Sequence, residues 1–187
     1  MSSVKITGLT RALTKLDRVN NLSKVVNTAT KRTQRAAKTI ASSSIREELA
    51  LTKRYIDEKI SVNGRFMTQS NREASITITT PSRGILMRNF RHRQNKRGTR
   101  ITIKPGNPQT IKRMWMLKLK QGGETPVYWK QKPQVRRGKT GYWGGLALYA
   151  PSPSQVLNTK RDYISEEVAE RWGRELKSAI NYHTRVK

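Results

Sequence analysis

Carboxylates are where catalysis would have to begin in this chain, because general acid–base pairs and two-metal phosphoryl chemistry both need converging oxygen groups. Two adjacent pairs stand out, Glu47 with Glu48 and Asp57 with Glu58. Neighbouring residues on a helix do not face one another, and Arg46, Lys53, Arg54 and Lys59 are ready ion partners. These spacings therefore predict a solvated, charge-laced helix face. From Ala74 to Arg161 there are nineteen Lys or Arg and a single carboxylate, Glu124, so that stretch lacks the acids for a hydrolytic pair or a metal cluster.

The other reactive types are equally sparse. His92 and His183 are far apart, and no Ser, His and Asp arrangement accompanies them. His92 is expected to be an exposed loop residue adding to phosphate contacts. His183 is expected on the last turn of a C-terminal helix, where the dipole favours a cation. The stretch "GKTGYWGG" contains Gly-Lys-Thr, but a phosphate-binding loop needs a glycine five residues before Gly138, and Pro133 stands there. With no cysteine there is no disulfide, no thiolate nucleophile and no thiolate zinc site. No catalytic, cofactor-binding or metal residue is assigned, and the chain is expected not to be an enzyme.

The chemistry the residues do offer is anion binding. "MRNFRHRQNKRGTR", Met87 to Arg100, holds six Lys or Arg and no acid. Arg88, Arg91, Arg93, Lys96, Arg97 and Arg100, with Arg136, Arg137 and Lys139 from "KPQVRRGKTGYWGG", are the candidate contacts to nucleic acid or another polyanion. Such cations neutralise phosphates without reading bases. Trp115, Trp129, Trp143 and Trp172 could stack on bases, but packing in a core or a subunit interface is the expectation for them.

Composition agrees. The net charge is +27, from 39 Lys and Arg against 12 Asp and Glu, so a polyanion is the natural partner. Apolar residues make up 34% of the 187, low for a compact globule, which suggests an elongated shape or a core completed by neighbouring subunits. No window of about 18 uncharged apolar residues exists, and the N-terminus lacks the apolar core of a secretory signal. No membrane partner is expected, and synthesis in a cytoplasm is.

The elements that must carry these cations follow from periodicity. Residues 1–62 are expected to be mainly helical: Leu9, Leu13, Leu16 and Val19 recur at helical spacing, "NN" at Asn20 and Asn21 breaks the run, and a long helix then extends from Leu22 into the fifties. Its middle is rich in small residues, so its packing partner must supply the apolar bulk. Thr52 can cap a short further helix, and Asn63-Gly64 signals a turn. Residues 74–150 are expected to form a sheet with basic loops. "ASITITT", "GILMRNF", "TRITIKPG" and "VYWKQK" read as strands, "RHRQNKRG" as the loop of a hairpin, and "IKRMWMLKLKQGG", whose pattern is ambiguous between strand and helix, is expected as a short helix or irregular packed segment. "PSPS" ends the sheet, and residues 153–187 form a C-terminal helix with Ile164, Val168, Trp172, Leu176 and Ile180 on one stripe. The fold class is α+β in one domain, a small, mainly antiparallel sheet flanked by a long N-terminal helix and a C-terminal helix.

This order of elements resembles the minor tail protein Z or tail completion family of long-tailed bacteriophages. The resemblance is carried by "VKITGLTRALTKL", "VVNTATKRTQRAAKTIASSSI", "WMLKLKQGG" before "VYWKQK", and "LALYAPSPSQVL" leading into "EEVAERWGRELKSAINYHTRVK". Where relatives often place glycine before the Pro-Ser turn, this chain has Ala150, and "KPQVRRGKTGYWGG" is longer than the family pattern. The resemblance implies a non-enzymatic virion protein at the head-proximal end, or neck, of the tail, made in the host cytoplasm and completing the tail for head–tail joining. It further implies a homo-hexameric ring next to the tail terminator or tail tube protein and the head–tail connector. Double-stranded DNA would then pass the basic loops without register. A ribosomal or other sequence-independent nucleic-acid-binding protein is the alternative, against which the long amphipathic helices at both ends and the absence of an extended Lys-rich tail argue.

Overall fold

Small residues recurring every three or four positions make helix α1, Leu22–Glu48, the backbone of the fold. Its inward face is Val25, Val26, Ala29, Thr30, Thr33, Ala37, Ala41, Ser42, Ser44 and Ile45, all buried. Such a face lets another helix approach closely but contributes little apolar area itself. In this computed structural model, which describes residues 2–5, 22–68, 73–118, 124–129 and 145–185, the bulk comes from helix α4, Arg161–Arg185. Its Ile164, Val168, Trp172, Leu176 and Ala179 are buried. The two helices run antiparallel, because Trp172 Nε1 donates to Thr30 Oγ1 at 3.5 Å near one end while Lys160, just before α4, meets Glu47 at 2.6 Å at the other.

α1 stops before the fifties. The Leu49 N–H still donates to Ile45 O, but Ala50 N–H turns away to Ile103 O at 2.7 Å, so a tertiary bond replaces the next helical one. Thr52 then caps a second helix, α2, Lys53–Lys59, by accepting from Tyr55 N–H. After the sheets, "PSPS" does more than end a strand: Ser152 and Gln155 form a reciprocal capping box that starts α3, Pro153–Thr159. The C-terminal helix is therefore two helices joined at Lys160. Leu9, Leu13, Leu16 and Val19 lie outside the described residues, whereas Ser2–Lys5 form a strand, β1, that the helical N-terminal expectation did not include.

The single sheet expected from sequence is several small ones, and every strand pairing among the described residues is antiparallel. One has the order β1-β3-β2, with β2 Ser61–Arg65 and β3 Ser75–Thr80. Asn63-Gly64 therefore lies inside a strand, not at a turn. Gly64 is used for close approach: a Cβ there would sit 3.0 Å from Gln34 Oε1 of α1, whose amide also donates to Val62 O. The short β4, Ile85–Leu86, pairs with β11, Tyr149–Ala150, so "GILMRNF" is a brief strand followed by a 3-10 turn, Met87–Asn89. A meander joins β5 Arg91–Asn95, β6 Gly98–Lys104 and β7 Asn107–Lys112. The last sheet joins β8 Met114–Lys118, β9 Glu124–Trp129 and β10 Gly145–Ala147.

The described part of "IKRMWMLKLKQGG", residues 111–118, is thus extended rather than helical, its two strands separated by Arg113 at φ 61°. Its alternation is too short to tell a strand from a helix by pattern, and pairing with β6 and β9 decides it. The main core gathers Ile45, Ile56, Ile76, Ile78, Phe90, Ile101, Met114, Leu157, Ile164 and Val168 between α1, α3, α4 and the inner faces of the sheets. A second cluster, Val25, Val26, Ala29, Met67, Trp172, Leu176 and Ala179, holds the far end of the helix pair.

Candidate nucleic-acid interface

The basic run is not the loop expected from its composition. Arg91 and Arg93 lie on β5, Arg100 on β6, and only Lys96 and Arg97 form the turn between them. Two features of the sequence make so short a turn feasible. Asn95 Oδ1 accepts from Arg97 N–H at 3.0 Å, and Gly98 takes φ 144°, a conformation other residues rarely adopt. A Cβ on Gly98 would stand 2.2 Å from Ile111 O, so β7 approaches there as only glycine permits.

Register assembles the site. Arg91 is opposite Thr102, Arg93 opposite Arg100, and Arg100 opposite Thr110, while Gly98 faces Lys112 of β7. Directly paired residues share a sheet face, so Arg91, Arg93, Arg100 and Lys112 all lie on one side. Those four are exposed, as are Arg88 in the preceding 3-10 turn and Lys96 and Arg97 in the hairpin turn. Among the described residues, none of the seven takes part in an ion pair. Lys104, by contrast, lies 3.9 Å from Glu48.

The opposite side of the meander explains its rigidity. Thr99 is fully buried and donates to Met114 O at 2.7 Å, Ile101 enters the core, and Gln94 Oε1 accepts from both Thr99 Oγ1 and Met116 N–H. Gln94 Nε2 also donates to Gly98 O. These bonds fasten β5 and β6 onto β8, so the arginines stand on a braced surface. His92 belongs to this inner side: it is half-buried and its Nδ1 donates to Phe90 O at 2.8 Å, so it is not the exposed phosphate ligand expected.

Sequence reasoning missed Lys112, because a short helix or irregular packed segment is expected where the strand that presents it lies. Arg136, Arg137 and Lys139 lie outside the described residues. Of the tryptophans, Trp172 packs in the core as expected, Trp115 is 41% exposed on β8 and so is not a core residue of the single chain, and Trp143 lies outside the described residues.

The two acid pairs of the helices are engaged elsewhere. Glu47 and Glu48 pair with Lys160, Glu58 with Arg54, and Asp57 Oδ1 accepts from Ser42 Oγ at 2.6 Å. The hydrogen bond to Glu47 holds the Lys160 pKa above the ordinary 10.5. Among the described residues, no three of His, Asp and Glu converge in a way that could hold a metal ion, and no helix is long and apolar enough to cross a membrane. The arrangement offers electrostatic binding of a polyanion on a fixed surface. Comparison with known proteins returned no matching family model, no matching curated protein and no matching solved structure.

Proposed function

We propose that this chain is a structural protein of a long-tailed bacteriophage that completes the head-proximal end of the tail, enables head–tail joining, and borders the DNA path with its basic β5–β7 face. The observation that carries the DNA-bordering part is the row Arg91, Arg93, Arg100 and Lys112, exposed and without ion-pair partners among the described residues. Two like charges opposite one another, as at Arg93 and Arg100, destabilise a sheet in isolation and are relieved by an anion laid across them. Arg91 and Arg93 are two residues apart, about 6.8 Å along the strand, similar to the rise of two nucleotides on one strand of a duplex.

Such contacts bind phosphates regardless of sequence, which suits DNA that slides past without register. The place in the tail, the homo-hexameric ring and the neighbouring terminator, tube and connector proteins rest on the resemblance in the order of elements. A ring of subunits each at +27 would concentrate positive charge, which favours turning this face toward DNA. Electron microscopy of native complexes recovered through a terminal tag tests the reading. It is supported by finding the protein at tail ends or virion necks and abandoned if the protein is found on ribosomes or on bare nucleic acid. The latter result would favour the second reading, a sequence-independent nucleic-acid-binding protein, for which exposed Trp115 offers a stacking surface.

A further inference from the structure

A second basic surface lies on α1, away from the meander. Lys24, Lys31 and Lys38 are seven residues apart, and Arg35 sits one turn from the last two, so four exposed cations share one side of the helix. None of the four forms an ion pair among the described residues, whereas Arg32, on a neighbouring line, reaches Glu175 at 3.7 Å. At its N-terminal part this stripe borders an open cleft of about 530 Å³ lined by Lys24, Asn27, Thr28, Lys31, Phe66 and His183. None of the six is an acid.

The cleft is a built feature. Asn27 clamps the backbone of Met67 twice, its Nδ2 donating to the carbonyl and its Oδ1 accepting from the N–H, at 2.9 and 2.8 Å. That clamp fixes the segment after β2 against α1 and holds Phe66, 39% exposed, at the rim. His183 comes from the last turns of α4 and is itself braced edge-on by Tyr182, ring centroids 5.2 Å apart. Lys24 and Lys31 are separated by about 10.5 Å along the helix axis. The cleft therefore combines two cations with an exposed aromatic face and an imidazole.

An aromatic ring beside two lysines suits a nucleotide better than a bare anion, because stacking needs the π-face of a base and the cations need a phosphate. It suits a continuous duplex poorly, since stacked bases do not present their faces. We propose that this cleft binds a nucleotide unit, phosphate against Lys24 and Lys31 and base against Phe66, from either a single strand or a free nucleotide. The inference uses none of the residues that carry the proposed tail function, so either can fail alone.

The test is fluorescence anisotropy of the full chain with a labelled 15-nucleotide single strand and, separately, a blunt duplex, across a salt series. Phe66→Ala is expected to weaken single-strand binding about tenfold and leave duplex binding within twofold, while Phe66→Trp restores it. Lys24→Gln with Lys31→Gln is expected to lower the slope of log affinity against log salt by about 0.7 for the single strand, the loss of one neutralised phosphate. Displacement of the strand by a mononucleotide at equal phosphate concentration assigns the cleft to free nucleotide. Failure to displace, with the weakening by Phe66→Ala still seen, assigns it to the strand. Equal binding of both nucleic acids by wild type and Phe66→Ala, or an unchanged salt slope in the lysine double variant, overturns the proposal. Phe66→Trp also guards against misfolding, since a collapsed cleft would not recover.

Discussion

Arg93 and Arg100 show how a single pair can trade stability against binding. Directly opposite on adjacent strands, they repel, so Arg93→Gln with Arg100→Gln is expected to raise folding stability by roughly 0.5 kcal/mol. The same change should lower the duplex salt slope by about 2, close to one unit for each phosphate that is no longer neutralised. Denaturant unfolding and a salt titration read the two effects separately. A stability gain with no change in slope would mean the pair touches no phosphate. Thr80 offers a cleaner case, because its hydroxyl is buried with no hydrogen-bond partner among the described residues, at a position 3% exposed. Thr80→Val removes that cost and should stabilise by about 1 kcal/mol in denaturant unfolding.

At the scale of elements, two junctions hold the sheet and the helices in place. Gly98 lets the turn close and lets β7 lie against β6, so Gly98→Ala is expected to destabilise by about 2–4 kcal/mol, seen in thermal melting. The weakening should fall on the meander first, with amide exchange rising in β5–β7 before α1 or α4. The second junction is Lys160, between α3 and α4, which pairs with Glu47 and Glu48 in the last turn of α1. Two acids at a helix C-terminus oppose the dipole, and Lys160 offsets that. Solvent keeps the effect small, so Lys160→Met should cost less than about 1 kcal/mol. Because its folded pKa is raised above 10.5, the contribution is fully present below pH 10.5 and is lost as pH climbs through the folded value. The wild type and Lys160→Met should therefore converge in stability only in strongly alkaline buffer.

For the whole molecule the governing quantity is charge. With 12 acids against 39 cations, most of the cations have no counter-charge within the chain. Binding to a duplex of arbitrary sequence should therefore weaken by orders of magnitude between about 50 and 200 mM salt, with little difference between sequences of equal length. A marked preference for one sequence would show base readout and would count against a protein that lets DNA slide past. Trp115, Leu146 and Tyr149, exposed on β8, β10 and β11, are among the large apolar side chains that neighbouring subunits of the proposed ring would have available to cover.

The amino-acid sequence alone determined the α+β class, the long small-residue helix, its need for a bulky partner, the Thr52 cap and the strand at "ASITITT". Each of these rests on a local period or a local hydrogen bond, which neighbouring residues encode between themselves. It determined, too, that the chain carries a concentrated positive charge and few acids. Only tertiary structure decided which cations act together. Arg93, Arg100 and Lys112 become one surface through strand register, and register depends on residues that sequence distance separates. The same holds for Gly64, a turn signal that pairing with Ile76 of β3 makes a strand residue, and for His92, which β5 turns inward. The cleft at Lys24, Phe66 and His183 draws on three segments far apart in the chain, and no local pattern could announce it.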